Sequence, residues 1–154
     1  MIDAATLPLP DASCDLVIAF MSLQDVDDLP GAVAEIGRVL TPGSCACIAV
    51  VHPLNSAGKF ADETPDSPFI VRGSYLGEFA YRDAVTRDGF DMTFHSRHRP
   101  LDHYSRALEG AGLCVDAIRE HPMPMSAVHS QRSIRWTRVP LFLHLRARKP
   151  PILA

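Results

Sequence analysis

A strand, a helix and a second strand follow one another within residues 15–51, and that succession commits the chain to a parallel α/β arrangement. "DLVIAF", Asp15 to Phe20, is a continuous apolar run of strand length, as in a buried parallel strand. Leu29, Val33, Ile36, Val39 and Leu40 then recur at helical spacing. Asp27 or Asp28 is placed to cap the helix and Pro30 fits its first turn. The helix is expected to stop near Leu40, because Pro42 cannot continue it and Gly43 supplies a permissive turn. Cys45 to Val51 is apolar throughout, the pattern of a strand covered on both faces. A crossover of this kind is right-handed in nearly every parallel sheet.

Composition narrows what such a unit serves. The 154 residues are 47% hydrophobic and 21% charged, a balance that excludes wholesale disorder. A net charge of −3 gives no bulk attraction for nucleic acid or an anionic membrane surface. No apolar run is long enough to span a bilayer, and "MIDAATLPLPD" lacks the basic start and apolar stretch of a signal peptide, so a cytoplasmic location is expected. The four cysteines contain no CxxC pair. Cys45 and Cys47 fall on one face of their strand and read as small buried hydrophobes.

Beyond His52-Pro53 the chain turns polar and glycine-rich through residue 89. It keeps aromatic residues (Phe60, Phe69, Tyr75, Phe79, Tyr81), which a linker would not. Residues 54–95 therefore read as a lid or substrate-binding insertion, mostly loop, with a short strand at 90–95. "RPLDHYSRALEGAGL" reads as a helix ended by Gly112. Residues 113–120 and 140–149 alternate like half-buried strands and suggest an antiparallel pair.

Three stretches in register resemble the class I S-adenosylmethionine-dependent methyltransferases, in particular the small-molecule, methyltransferase type 11-like group. They are "DAATLPLPDASCDLVIAF", "DDLPGAVAEIGRVLTPGS" and "HRPLDHYSRALEGAGLCVDAIRE". The resemblance implies an α/β, Rossmann-like fold with strand order 3-2-1-4-5-7-6, of which this sequence supplies strands four to seven. Residues 1–154 would then be a partial methyltransferase domain, truncated to roughly the 4-5-7-6 part of the sheet. None of the nine glycines forms the family's GxGxG loop, which cradles the cofactor's methionine part.

By the same resemblance, Asp3 matches the acidic residue that accepts from the adenine amino group, and Ala4 its neighbour whose backbone N–H meets the ring. Phe20 and Met21 match the strand end whose carbonyls face the methionine moiety. For Asp3 the alternative is a frayed terminal carboxylate in solvent, and for Phe20 simple core packing. Gln24 stands where many relatives have His. His52 and His98 are the catalytic candidates: His52, at the carboxyl end of its strand, as a general base or a residue that orients substrate, and His98 as a side chain facing the pocket. A structural histidine before Pro53 is the competing reading of His52. His95, His98 and His103 have no metal-ligand spacing, so no metal is expected. Arg97 or Arg99 is a candidate for holding an anionic substrate, and Arg132, Arg135 and Arg138 read as solvated faces.

The function implied is methyl transfer from S-adenosylmethionine to a small-molecule acceptor. Cofactor binding by this chain alone would be weak or absent, and the chain alone inactive. The rival is a non-catalytic remnant or interaction module. The strand at 15–20 would lack a partner on one side, which predicts a homodimer through it; the alternative is that the 54–95 insertion or the N-terminal loop folds back over that edge.

Overall fold

The computed structural model describes residues 3–87 and 89–152. Strand β1 (Cys14–Phe20), helix α1 (Leu29–Val39) and strand β2 (Leu40–Val51) form the expected crossover, with β1 and β2 parallel. Helix α2 (Pro53–Ala57) leads into two small antiparallel pairs: β3 (Gly58–Phe60) with β4 (Phe69–Val71), and β5 (Phe79–Arg87) with β6 (Phe90–His98). Helix α3 (Leu101–Gly110), strand β7 (Cys114–His121), a one-turn helix α4 (Gln131–Ile134) and strand β8 (Phe142–Arg148) complete the chain. The main sheet has the order β1-β2-β8-β7, with β8 antiparallel to both neighbours.

Local chemistry accounts for the crossover helix. Asp28 accepts the Gly31 N–H at 2.8 Å as N-cap, and Pro30 occupies the first turn, where a missing donor costs nothing. The helix ends at Val39 because Thr41 precedes a proline and is driven to extended backbone. Pro42 and Gly43 lie within the irregular start of β2, not in a separate turn. Gly43 takes φ +87° there, and the pairing with β1 slips between Cys14 and Leu16.

Helices α1 and α3 cover the same face of the main sheet. Ala46, Ile48 and Val50 of β2 and Leu143, Leu145 and Ala147 of β8 point into that layer, against Val33, Ile36, Tyr104 and Leu108. The other face carries Leu16, Ile18 and Phe20, which are 50%, 68% and 71% exposed. The expectation of two-sided burial for both strands is thus corrected: of β1 only Ala19 is buried. Cys45 is half-buried and Cys47 exposed, so these thiols are not core hydrophobes.

The 54–95 segment is more ordered than its composition suggests. Nine residues of β5 pair with β6, which runs on to His98. Both strands are exposed over most of their length, so their apolar and charged residues mix on both faces and leave no period to read.

Candidate functional site

Parallel strands direct their carboxyl ends to one edge, and the sequence-selected residues gather there. Met21 ends β1 with φ +49°, a costly conformation for a side chain of its size. Its N–H donates to the Ala49 carbonyl of β2 at 2.8 Å, which holds the turn. Phe20 beside it is exposed on the uncovered face. The loop bearing Asp3 and Ala4 reaches the same edge. Ala4 packs against the core, and Ala5 lies so close to α1 that a Cβ on Gly31 would sit 3.0 Å from its methyl. Asp3 is exposed and uses Oδ1 to accept the Ala5 N–H at 3.0 Å. Its Oδ2 has no partner among the described residues.

Glu35 and Arg38, three apart on α1, clamp this loop. Glu35 accepts the Leu7 N–H at 2.7 Å, while Arg38 donates to the Leu9 carbonyl at 2.8 Å and to Asp11 at 2.6 Å. The Arg38 hydrogen bonds, then that from Leu7, take the Glu35 carboxyl from 4.5 down to about 2. The "E..R" spacing in "EIGRVL" is therefore a fastener between helix and loop.

A second fastener holds residues 21–28. Arg99, nearly fully buried, donates to the carbonyls of Leu23, Val26 and Asp27 at 3.2, 2.7 and 3.1 Å and pairs with Glu78 at 3.1 Å. Arg97 pairs with Asp27 at 2.7 Å. Both arginines expected as anion-holders are thus committed to the loop between β1 and α1. Gln24, in that loop, is buried, and its Oε1 has no partner among the described residues.

His52 is buried at the end of β2. Its Nδ1 accepts the Leu54 N–H at 3.0 Å and so caps α2, while Nε2 lies 2.9 Å from Glu120. With Nδ1 accepting, the proton belongs on Nε2, which donates to the carboxylate. Burial lowers the His52 pKa, and Glu120 opposes that shift. His98 is fully buried, with Nδ1 2.7 Å from Ser56 Oγ, Nε2 2.8 Å from the Tyr75 carbonyl, and Phe79 stacked on its ring at 4.7 Å. Tyr104 packs in the core, and burial raises its hydroxyl to about 12. Among the described residues no group of three His, Cys, Asp or Glu is placed to hold a metal ion.

Beyond Val51, two residues along β2 from the carbonyl that holds Met21, opens a cleft of about 730 Å³. Its walls come from α2, β3, β5 and the turn after α4, with Phe60, Phe79, Tyr81 and Trp136 as aromatic surfaces. The same cleft collects Lys59, Arg72, Arg82 and Arg135. The sequence signalled none of this convergence, because the four cations come from four separate segments. Arg135, read as a solvated face, lines the cleft. Arg132 pairs with Glu63, and Arg138 donates to the carbonyls of Pro65 and Ser67, which fastens the 131–138 segment over the insertion.

Comparison with known proteins fits this arrangement. A methyltransferase-domain family profile matches residues 1–48. The chain is 28% identical over 130 residues to a ubiquinone/menaquinone biosynthesis C-methyltransferase of Caulobacter sp. strain K31, covering 82% of this chain and 49% of that protein. It is 31% identical over 128 residues to a malonyl-[acyl-carrier protein] O-methyltransferase of Xylella fastidiosa strain M23, covering 77% and 42%. A solved S-adenosylmethionine-dependent methyltransferase from Mesorhizobium loti superposes with a TM-score of 0.73 at 22% identity, over 96% of this chain and 67% of the other. The chain is similar in sequence to class I S-adenosylmethionine-dependent methyltransferases. Its α/β fold is that of these methyltransferases, and S-adenosylmethionine is their cofactor. The chain spans about half the length of the curated methyltransferases it matches. No helix among the described residues is long and apolar enough to cross a membrane.

Proposed function

We propose that this chain supplies the acceptor-side half of a small-molecule methyltransferase, and that the half-site alone binds S-adenosylmethionine weakly and does not turn over. The observation that carries this is the meeting, at one sheet edge, of the Asp3–Ala5 segment packed against the core and the start of α1, a strained Met21 and a large aromatic cleft. The sheet order supports it, since β1-β2-β8-β7 with β8 reversed corresponds to strands 4-5-7-6 of the seven-stranded family sheet.

Toward the cofactor, the residues present fit part of the group. Asp3 offers a free carboxylate oxygen to an adenine amino group, and the strained turn at Met21 lies at the strand end where the family's backbone carbonyls face the methionine moiety. None of the nine glycines lies in a loop that would cradle the methionine moiety. When bound, the cofactor supplies an electrophilic methyl group for in-line displacement. This chain's contribution is to align the acceptor and exclude water beneath the insertion at 54–95. His52 and His98 take the orienting role: His52 caps the helix that carries Asn55 and Ser56, and His98 holds Ser56 at the cleft wall. The uncovered sheet face is the basis for the homodimer reading, with residues 15–20 of two copies pairing across an edge strand.

The test is amide-resolved NMR of the labelled chain with S-adenosylhomocysteine at about 1 mM, a concentration suited to half a site. Shifts concentrated at residues 3–6 and 20–24, and lost on Asp3→Ala, support the reading. Shifts confined to other segments, or none, overturn it.

A further inference from the structure

We infer that the cleft at the end of β2 is a binding site for a small aromatic carboxylate, which names the class of acceptor for the half-enzyme proposed above. The acceptor role rests on that reading; the binding does not.

The pairing pattern of the basic residues carries the inference. Arg38, Arg97, Arg99, Arg106, Arg132, Arg146 and Arg148 each pair with a carboxylate. Lys149, Arg119 and Arg138 donate to backbone carbonyls. Lys59, Arg72, Arg82 and Arg135 make neither kind of contact among the described residues, and all four line this one cleft. Asp83 is the sole carboxylate of the lining, so the cleft is cationic within a chain of net charge −3.

Arg135 is the least exposed of the four. Its Nε and Nη1 are shielded from solvent and have no hydrogen-bond partner among the described residues. Donors so placed are costly unless an acceptor meets them. The guanidinium stands 5.5 Å over the Phe60 ring, and Phe60 in turn meets Trp136 edge-on at 4.9 Å. Asp62 feels the Arg135 charge but makes no hydrogen bond to it; its Oδ1 accepts the Thr64 N–H at 2.9 Å and the Thr64 hydroxyl. The charges of Lys59, Arg72, Arg82 and Arg135, gathered in one lining with no carboxylate paired to them among the described residues, favour a carboxylate ligand and offer it charge-assisted hydrogen bonds. Phe79, Tyr81 and Trp136 offer the apolar walls that a ring attached to that carboxylate requires.

The chain's single tryptophan, Trp136, lines the cleft, so its fluorescence reports occupancy directly. The full chain is titrated with benzoate and, separately, with benzamide, which has the same ring and no charge. The inference predicts saturable change with benzoate and binding at least about tenfold weaker for benzamide. Arg135→Gln lowers that preference about threefold or more, with circular dichroism confirming the fold. Where Arg135→Gln does not fold, the exposed pair Arg72→Gln/Arg82→Gln is read instead and lowers the preference about threefold or more. Equal binding of the two probes overturns the inference. So does no saturable change up to about 10 mM benzoate, or a preference untouched in the variant read. No cofactor enters the titration. A benzoate preference without amide shifts at residues 3–6 and 20–24 therefore keeps the cleft and removes its methyl-acceptor role.

Discussion

The two hydrogen bonds of His52 fix one tautomer, and that has consequences for both stability and pH. Nδ1 is a helix cap, so His52→Ala exposes the first turn of α2 and is expected to cost about 1 kcal/mol in urea denaturation, while His52→Asn, which keeps an acceptor for the Leu54 N–H, recovers most of it. A histidine acting only as a base would show no such rescue. Because burial lowers the folded pKa of His52, the unfolded chain binds more protons below about pH 6.5. The stability it contributes is complete above that value and is lost as pH falls through the lowered folded pKa. Urea midpoints are therefore expected to drop between about pH 7.5 and about pH 5.5, and His52→Asn flattens that slope. Glu35, taken down to about 2, acts in a separate window: its contribution is present above its ordinary value of 4.5 and is lost only in stronger acid. Arg38→Ala frees the loop it clamps. Hydrogen exchange at Leu7 and Ser13 is predicted to accelerate in that variant while exchange in the centre of β2 stays slow.

At the scale of elements, α1 passes close against the end of α3 at Gly37. A Cβ there would stand 2.8 Å from the Ala111 carbonyl oxygen, where α3 ends. Replacing a mid-helix glycine with alanine ordinarily gains about 1 kcal/mol of helix propensity. Here Gly37→Ala is expected to lower the melting temperature instead, because the obstacle is backbone and cannot swing away. Leu108→Ala, in the fully buried layer between α3 and the sheet, should cost about 2–5 kcal/mol. These elements were legible in the sequence because each obeys a strong period or stop: Leu29 to Val39 for α1, Tyr104 and Leu108 before Gly112 for α3, and the alternation of β7 and β8. β5 and the cleft were not. β5 has no buried face to impose alternation, and the cleft depends on Lys59, Arg72, Arg82 and Arg135 meeting across long sequence separations. The resemblance singled out Asp3 and Met21, whose contact with a cofactor belongs to the proposal above, whereas the roles of Glu35 and Arg99 as fasteners emerge only from their hydrogen bonds.

For the whole molecule, one sheet face is covered by two helices and the other is not. Leu16, Ile18 and Phe20 lie on the uncovered face of an edge strand, and contiguous apolar surface of this kind favours association. Sedimentation equilibrium is predicted to show a concentration-dependent dimer, reduced by Ile18→Lys; a monomer at every concentration would contradict this. The same asymmetry underlies the central claim, that the chain carries the acceptor cleft and adenine edge of a methyltransferase without the glycine cradle for the methionine moiety. Titration calorimetry of the intact chain with S-adenosylmethionine tests it most directly. The account predicts no saturable heat at micromolar cofactor, whereas a micromolar dissociation constant for this chain alone would contradict it.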